Sequence, residues 1–293
     1  MIPKQEIMAL AADLQLQAHV VEKDYALGWF LAGISAHPLI GSRWVFKGGT
    51  CLKKCYFETY RFSEDLDFTL QDAEHLDENF LTGVFEEIGE WVYDACGLQL
   101  PPETRKFEVF TNPRGSQSAQ GRVGYRGPLG RAGDPPRIKL DLAADEVLVL
   151  TPVQRPVHHP YTDRPAGGIN VLSYSFEEVF AEKMRALAER QRPRDLYDVV
   201  HLYRRQDLQP NRAVVRSTLA RKCEFKGLRT RHVGHHLAIA SDDSAVGRRS
   251  WPTGADPLCC GQPPMRAVGL HQNQRRAHIT DDRALLGSPN ERR

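Results

Sequence analysis

The chain has 293 residues, of which 41% are hydrophobic and 26% are charged, a composition that fits one large or two modest globular domains. No run approaches the ~18 uninterrupted apolar residues of a bilayer-spanning helix, and Glu6 and Asp13 interrupt the apolar run that a signal peptide would need, so we expect a cytoplasmic protein. The net charge of +2 does not by itself indicate nucleic-acid binding, so a charge-dependent partner would have to recognise local clusters.

The periodicity of the apolar residues predicts an α/β (α+β) fold, with helices on either side of a core of strands and helices. In chain order, the predicted elements are helices at 4–17 and 20–36, a strand at 43–47, a helix at 50–59, a strand at 66–70, a helix at 77–96, strands at 106–111, 122–126, 137–142 and 146–150, and helices at 175–191, 194–205 and 210–222. The Gly/Pro/Arg-rich stretch 112–136 is predicted to be a loop. The predicted organisation is N-terminal helices (1–40), a core (41–172), a helical part (173–225) and a tail (226–293).

The residues from about 227 onward differ in composition from the rest of the chain. All 12 Phe and all 9 Tyr lie at or before Phe225, whereas residues 227–293 contain 10 Arg and no Lys. No stretch of this tail keeps a helical or strand period long enough to define a buried face. We interpret the tail as a disordered extension or as out-of-frame translation, and a missing natural end would leave the protein inactive even with its acidic residues in place.

The sequence FKGGT at 46–50 places two glycines between a predicted strand and a predicted helix. Gly48 and Gly49 let the backbone approach a phosphate closely, and the helix amides and the Thr50 hydroxyl are available as hydrogen-bond donors. Many turns between a strand and a helix contain glycine for its geometry alone. The turn by itself therefore does not establish a phosphate site.

Three acidic residues on two predicted strands indicate a metal site. Asp65 and Asp67 lie two residues apart on one strand, with Cα atoms about 6.6 Å apart, so both face the same side. In the second strand, RIKLDL at 137–142, apolar residues alternate with polar ones and Asp141 lies on the polar side. Like charges at this spacing repel unless a cation lies between them, and Mg²⁺ or Mn²⁺ prefers such oxygens. The alternative is a solvated edge strand or an acidic turn.

Lys183 has an unusual position on the predicted helix at 175–191. A helical projection places it within an apolar arc that includes Val179, Phe180, Met184 and Leu187. Because burying a bare ammonium costs several kcal/mol, Lys183 must pair with a carboxylate or reach into a cleft. Two explanations remain, a structural salt bridge or a contact to the charge of a triphosphate or a departing pyrophosphate.

The charged residues around the later helices have both structural and functional explanations. Asp195 and Asp198 open the helix at 194–205, where acidic side chains interact favourably with the helix dipole without any further role. Arginines beside the loop and between the helices could follow an RNA backbone. The candidates are Arg122, Arg126, Arg190 and Arg194. Glutamates interleaved on the same helix weaken this argument, because mixed charge usually marks a solvated surface.

The order of these motifs resembles known families. GGT at 48–50 followed by SEDLDF at 63–68 resembles the signature of the DNA polymerase β-type nucleotidyltransferase superfamily. The segments EKDYALGWFL, FKGGTCLKKCYFETYRFSEDLDF, YRGPLG, RIKLDL, EEVFAEKMRAL and RPRDLYDVVHL resemble the AbiEii/AbiGii-type toxin family, and the resemblance covers residues 20–225. It implies a polymerase β-like mixed sheet and an enzyme that transfers NMP from an NTP to an acceptor.

The resemblance also implies roles for individual residues. It implies nucleotide binding by Gly48, Gly49, Thr50, Ser63 and Lys183, metal binding by Asp65, Asp67 and Asp141, and a role for Asp195 or Asp198. It further implies the toxin of a toxin–antitoxin, or abortive infection, pair that is opposed by a winged-helix antitoxin encoded nearby. In some members of the family the acceptor is tRNA. The competing hypothesis is a non-catalytic nucleotide- or RNA-binding module that retains the fold and binds nucleotide without releasing pyrophosphate.

Overall fold

The computed structural model describes residues 1–57, 63–111, 115–205 and 208–228, and all of them fall within one compact unit. Apart from residues 226–228, the predicted tail lies outside the described residues, so its interpretation stays a prediction. The predicted division of the chain into four segments also stays a prediction.

The described residues form helices and strands in an alternating order. The helices are α1 (Lys4–Asp13), α2 (Ala18–Ala36), α3 (Gly48–Cys51), α4 (Glu78–Cys96), α5 (Phe176–Arg190), α6 (Pro193–Arg204) and α7 (Arg212–Phe225). The strands are β1 (Trp44–Lys47), β2 (Asp65–Leu70), β3 (Lys106–Thr111), β4 (Gln117–Gly124), β5 (Arg137–Ala143), β6 (Val153–Pro156) and β7 (Asn170–Ser173). Helix α3 continues directly into a π-helical turn, Leu52–Tyr56.

Helix α4 shows how local sequence sets an element. The Asp77 side chain caps its start by accepting a hydrogen bond from the Phe80 backbone N–H at 2.8 Å. Gly97, with a φ of +79°, ends it in the left-handed conformation that glycine adopts without strain. Between these ends the apolar residues recur on one face and are buried, so the helix packs against the sheet through a single stripe.

The strands form one mixed sheet in the order β3-β4-β5-β2-β1-β7-β6. Strand β2 runs parallel to β5 and antiparallel to β1, and β1 runs parallel to β7. The remaining neighbours are antiparallel. Strands β2 and β5, which carry the three candidate metal ligands, are therefore direct neighbours near the middle of the sheet.

The two faces of the sheet are covered by different helices. One face packs against α2 and α4 in a core that includes Phe46, Leu66, Phe68, Leu140 and Leu142. On the opposite face, a second core joins β1 to helices α5, α6 and α7. Across the described ranges, no helix combines the length and the apolarity that crossing a bilayer requires.

The predicted fold class is confirmed, and most elements lie where the periodicity placed them. Strand β4 begins inside the predicted loop, because Ala119 and Val123 turn to the core even though its sequence, QSAQGRVG, contains few strand-forming residues. The predicted strand at 146–150 is wrong. The backbone N–H groups of Val149 and Leu150 donate to the Glu178 carboxylate rather than to a neighbouring strand. The short strands β6 and β7 were not predicted.

Candidate active site

The register of the sheet brings the three predicted carboxylates to one face. Asp67 lies directly opposite Asp141, and Asp65 lies directly opposite Lys139. Residues paired in this way point to the same side of a sheet, while Leu66 and Leu140 point into the core on the other side. The alternation of β2 and β5 thus places the three carboxylates on the same side of the sheet. We call this side of β2 and β5 the acid face.

The glycine turn lies against the acid face. Lys47, the last residue of β1, is paired in register with Asp67, and the turn begins at the next residue. Gly48 has a φ of +82°, and a Cβ at this position would overlap the Asp67 carboxylate. A side chain is therefore excluded at position 48 both by backbone conformation and by space. The backbone at Gly48 can approach the acidic residues only because it is glycine.

Thr50 ties the turn to β2 rather than presenting its hydroxyl to the site. Its side chain is fully buried, and the hydroxyl donates a hydrogen bond to the Asp65 carbonyl oxygen at 2.6 Å. This hydroxyl, predicted to be a donor to phosphate, is therefore used within the fold. Gly49 is buried beside it, whereas Ser63, just before β2, is partly exposed.

The pKa of Asp67 is raised to about 6, and burial is the largest cause. Asp141 and Asp65 also raise this pKa, whereas Lys47 and Lys183 lower it. Since the like charges and the burial prevail, Asp67 resists ionisation at a pH where an exposed aspartate is fully charged. A buried carboxylate with neighbours of the same sign is an arrangement often associated with function.

Asp141 forms an ion pair with a lysine of its own strand. Lys139 Nζ donates to Asp141 Oδ2 at 2.7 Å, and this hydrogen bond raises the pKa of Lys139. Asp67, in contrast, forms no ion pair with a described residue. The two carboxylates that face each other across β2 and β5 are therefore in different states. One is matched by an ammonium and the other is not.

The donor set suits a hard divalent cation. Three carboxylates on one face, with two of them directly opposite each other, provide the oxygen ligands that Mg²⁺ and Mn²⁺ prefer. Within the described part of the chain, no three Asp, Glu, His or Cys side chains already converge as they do in a formed metal centre. One of the three carboxylates, Asp141, is paired with Lys139. The residues fit a divalent cation provided that Lys139 releases Asp141.

Lys47 joins the acid face to a buried polar network. Its ammonium forms an ion pair with the Glu146 carboxylate, which also accepts hydrogen bonds from Thr69 at 3.0 Å and from the Tyr174 hydroxyl at 3.1 Å. Burial alone raises the pKa of Glu146, but Lys47, Lys222 and the hydrogen bonds more than offset this and lower it to about 2. Glu146 is thus a fixed anion that holds Lys47 beside Asp67.

Lys183 connects the acid face to α6. Its Nζ lies 2.7 Å from Asp198 Oδ2, and the Asp198 side chain is fully buried. The charge of Lys183 also lowers the pKa of Asp67. The structure therefore contains the structural salt bridge that was one explanation for Lys183. The other explanation, a contact to a triphosphate or a departing pyrophosphate, stays a prediction.

The acidic residues of α6 are buried, so the helix dipole alone does not explain them. Asp195 is 1% exposed and Asp198 is 0% exposed. One Asp195 oxygen lies 3.3 Å from Arg190, while the other has no hydrogen-bond partner among the described residues. Asp198 is the member of the two that pairs with Lys183. Asp195 instead joins the end of α5 to α6.

The four candidate RNA contacts lie in separate places. Arg122 is exposed, and its register pairing with Lys139 places it in a row that ends at Asp65. Arg126 is exposed just beyond β4, and Arg194 is exposed at the start of α6. Arg190 is engaged by Asp195. Arg122 alone of the four shares a face with the acidic residues through the strand register.

Sequence reasoning missed Lys47, Glu146 and the pairing of Lys139 with Asp141. Lys47 precedes the two glycines, and this position was the only available signal. Glu146 is 99 residues from Lys47 in sequence, and its predicted strand placed it among apolar residues. Lys139 was recognised only as a polar residue in an alternating strand, because the direction of its side chain depends on the neighbouring strands.

Comparisons with known proteins agree with this geometry. A family model described as "Nucleotidyl transferase AbiEii toxin, Type IV TA system" matches residues 29–269. The match confirms the resemblance found in the motifs and extends beyond the last described residue. No curated protein is significantly similar to the chain.

Proposed function

The chain belongs to the AbiEii nucleotidyl transferase toxin family of type IV toxin–antitoxin systems, and we propose that it transfers NMP from an NTP to an acceptor hydroxyl and releases pyrophosphate. The observation that carries the proposal is the pairing of Asp67 with Asp141 across β2 and β5, directly beside the glycine turn. This arrangement provides metal ligands and a close backbone approach at the same place.

In this proposal, Asp65, Asp67 and Asp141 hold Mg²⁺ or Mn²⁺. Such an ion supplies charge neutralisation and Lewis acidity for phosphoryl transfer. The high pKa of Asp67 supports the assignment, because a carboxylate whose charge is disfavoured by burial and by like-charged neighbours gains most from binding a cation. Lys139 acts as the counter-ion of Asp141 in the metal-free protein.

The nucleotide binds where the glycine turn meets α5. The backbone N–H groups of Gly48, Gly49 and Thr50 lie at the start of α3 and face its positive dipole end, which favours an anion. Lys183, held by Asp198, approaches the triphosphate from α5. Ser63, partly exposed just before Asp65, lies at the entrance and contacts the nucleotide.

The transfer step exchanges one phosphorus–oxygen bond for another. The acceptor oxygen forms a bond to the α-phosphorus while the bond from that phosphorus to the bridging β-phosphate oxygen breaks. Pyrophosphate leaves with the bonding electrons, and the hydroxyl proton is released to water. The protein contributes by positioning the reactants and by placing positive charge where the leaving group becomes more negative.

The acceptor is an RNA, and tRNA is the candidate within this family. Arg122 shares the acid face and is exposed there, so it is placed to contact a phosphate backbone next to the reacting groups. Arg126, Arg190 and Arg194 serve as outer contacts. With tRNA as the acceptor, the reaction takes place in the cytoplasm, and a winged-helix antitoxin encoded nearby opposes the toxin.

The direct test incubates the purified protein with each labelled NTP, total RNA and Mg²⁺, and measures both labelled RNA and pyrophosphate. We expect Asp67→Asn to lower transfer at least ~100-fold, because it removes a charged ligand from the reacting centre. The matched control is Asp72→Asn, an exposed aspartate just beyond β2 that contacts Arg43 and should retain activity. The proposal would be contradicted if transfer stayed at the wild-type level both in Asp67→Asn and after divalent ions are removed with EDTA.

The second candidate function is a nucleotide- or RNA-binding module without catalysis. The observation that favours it is the Lys139–Asp141 pair, which already neutralises one of the three carboxylates. This candidate predicts that the wild-type protein binds NTP in a metal-dependent manner but releases no pyrophosphate. The pyrophosphate measurement of the direct test therefore separates the two functions.

A further inference from the structure

Lys47 uses fewer of its hydrogen-bond donors than the buried Lys54 does. An ammonium has three N–H donors. Lys54 uses all three, with the Asp24 carboxylate, the Asp24 carbonyl and the His158 carbonyl at 2.7, 3.0 and 3.3 Å. Among the described residues, Lys47 donates to Glu146 alone. Lys47 therefore keeps donors for a ligand, whereas Lys54 is fully consumed by the fold.

The position of Lys47 indicates what that ligand is. Its side chain is 12% exposed and lies at the end of β1, opposite Asp67 and immediately before the glycine turn. A lysine placed only to neutralise Glu146 would need neither this exposure nor this location. An ammonium with free donors beside the glycine turn is suited to an anion with several oxygens.

Glu146 holds this ammonium in place. The same carboxylate oxygen that receives Lys47 also accepts from Thr69 on β2 and from Tyr174, just after β7, and these two hydroxyls lie 2.7 Å apart. Because the carboxylate is fixed from two strands, Lys47 loses little further freedom when it binds a ligand. Glu146 is therefore a positioning residue that acts through Lys47.

From these observations we propose that Lys47, positioned by Glu146, contacts the triphosphate of the nucleotide from the β1 side of the acid face. Lys183 approaches from α5, so the two ammonium groups reach the triphosphate from different elements. The inference rests on the proposed function for the identity of the nucleotide. It adds a phosphate contact on β1 and a residue, Glu146, that determines where this contact lies.

The test measures nucleotide binding without turnover, by calorimetry in the presence of Mg²⁺, with an NTP and with the NMP of the same base. We expect Lys47→Met to weaken NTP binding ~10- to 100-fold, the loss of one or two hydrogen bonds to a charged group, and to change NMP binding far less. Lys47→Arg should recover part of the NTP affinity. Lys106→Met, at an exposed lysine on β3, is the control and should bind NTP as the wild type does.

A second variant tests the positioning role of Glu146. Glu146→Gln keeps an acceptor for Thr69 and Tyr174 but loses the charge that holds Lys47, so we expect a smaller loss of NTP affinity than in Lys47→Met. In the double variant, Glu146→Gln should cause no additional loss, because its effect passes through Lys47. Independent, additive losses would show that Glu146 does not act through Lys47 and would overturn that part of the proposal.

The remaining outcomes separate this inference from the proposed function. Equal NTP affinity in wild type and Lys47→Met, or equal losses for NTP and NMP, would overturn the phosphate contact. A thermal unfolding curve for each variant shows whether a loss of NTP affinity comes from misfolding. If Lys47→Met is misfolded, the NTP affinity of Lys47→Arg, which keeps the charge, tests the phosphate contact instead. Wild-type binding without pyrophosphate release would refute the transfer reaction but support the contact, whereas absence of wild-type NTP binding would refute both.

Discussion

Two groups of charges in this protein are built in opposite ways. On the acid face, the half-buried Asp65, Asp67 and Asp141 lie on neighbouring strands, and Asp67 forms no ion pair with a described residue. On α2, the buried Asp24 is surrounded by cations and donors, an arrangement that we call the Asp24 cluster. Its partners are Lys54 at 2.7 Å, Lys53 at 3.4 Å and the Tyr161 hydroxyl at 3.1 Å.

The pKa values of the two aspartates express this difference. Burial raises the pKa of both, but for Asp24 the charges of Lys54 and Lys53 outweigh burial and lower its pKa below the ordinary value. For Asp67, burial and like-charged neighbours prevail, and the pKa rises to about 6. The carboxylate of Asp24 is thus matched by cations, whereas Asp67 on the acid face has no ion-pair partner among the described residues. Matched charge indicates a structural role, and unmatched charge indicates a place for a ligand.

The largest expected effect on stability comes from breaking the matched cluster. Asp24→Asn leaves Lys54 buried without its counter-ion, and we expect it to lower the free energy of unfolding by ~3–5 kcal/mol. Urea denaturation followed by circular dichroism measures this loss. The double variant Asp24→Asn, Lys54→Met should recover part of it, because the stranded charge is removed. A single variant as stable as the wild type would show that the cluster is not structural.

The pH dependence of stability should have opposite signs in the two regions. The raised pKa of Asp67 means that, between about pH 4 and pH 6, the folded metal-free protein binds a proton that the unfolded chain has lost. The contribution of Asp67 is complete below about pH 4 and declines as the pH rises to 6, by up to ~3 kcal/mol. Asp24, with a lowered pKa, contributes above about pH 4 and loses this contribution as the pH falls further.

Urea denaturation in EDTA across this pH range checks the prediction. Subtracting the curve of Asp67→Asn from that of the wild type isolates the contribution of Asp67, which should fall from pH 4 to pH 6. A difference that is flat or rises over this range would mean that Asp67 is not held in a raised-pKa state.

The smallest expected effect is stabilisation by a divalent ion. At ten times its dissociation constant, Mg²⁺ should add ~1.4 kcal/mol to the free energy of unfolding of the wild type, because it binds the folded state. Thermal unfolding at neutral pH with and without Mg²⁺ measures this shift. Asp67→Asn should lose the shift, whereas Asp72→Asn should keep it. An equal shift in both variants would place the ion elsewhere.

Much of the site could be predicted from the sequence because it depends on local periodicity. The alternation in DLDF and RIKLDL fixes which side chains share a face, and the two glycines mark a close backbone approach. The number of strands was harder to predict. Strand β6 is short and contains Pro156, and β4 contains Gly121, where a side chain would overlap Phe107. Pairing with neighbours, which no local window shows, makes these segments strands.

The partners within the site could not be predicted, because they come from distant parts of the chain. Lys47 meets Glu146 only because the segment after β5 turns inward, and the pattern of residues 146–150 had suggested a strand. The burial of Asp195 and Asp198 likewise depends on how α6 packs against α5. Sequence periodicity identifies the face on which a residue lies, but the tertiary fold decides which charge stands opposite it.

Lys222 on α7, near the end of the described residues, is another charged partner that comes from a distant part of the chain. It lies 2.7 Å from the buried carboxylate of Glu178, donates to the Val147 carbonyl at 3.1 Å, and covers the Tyr174 ring. Glu178 in turn receives the backbone N–H groups of Val149 and Leu150. A fragment that keeps α5 but ends before α7 would therefore leave the Glu178 carboxylate without this cation and remove the hydrogen bond to Val147, the residue after Glu146. The smallest useful expression fragment must retain α7.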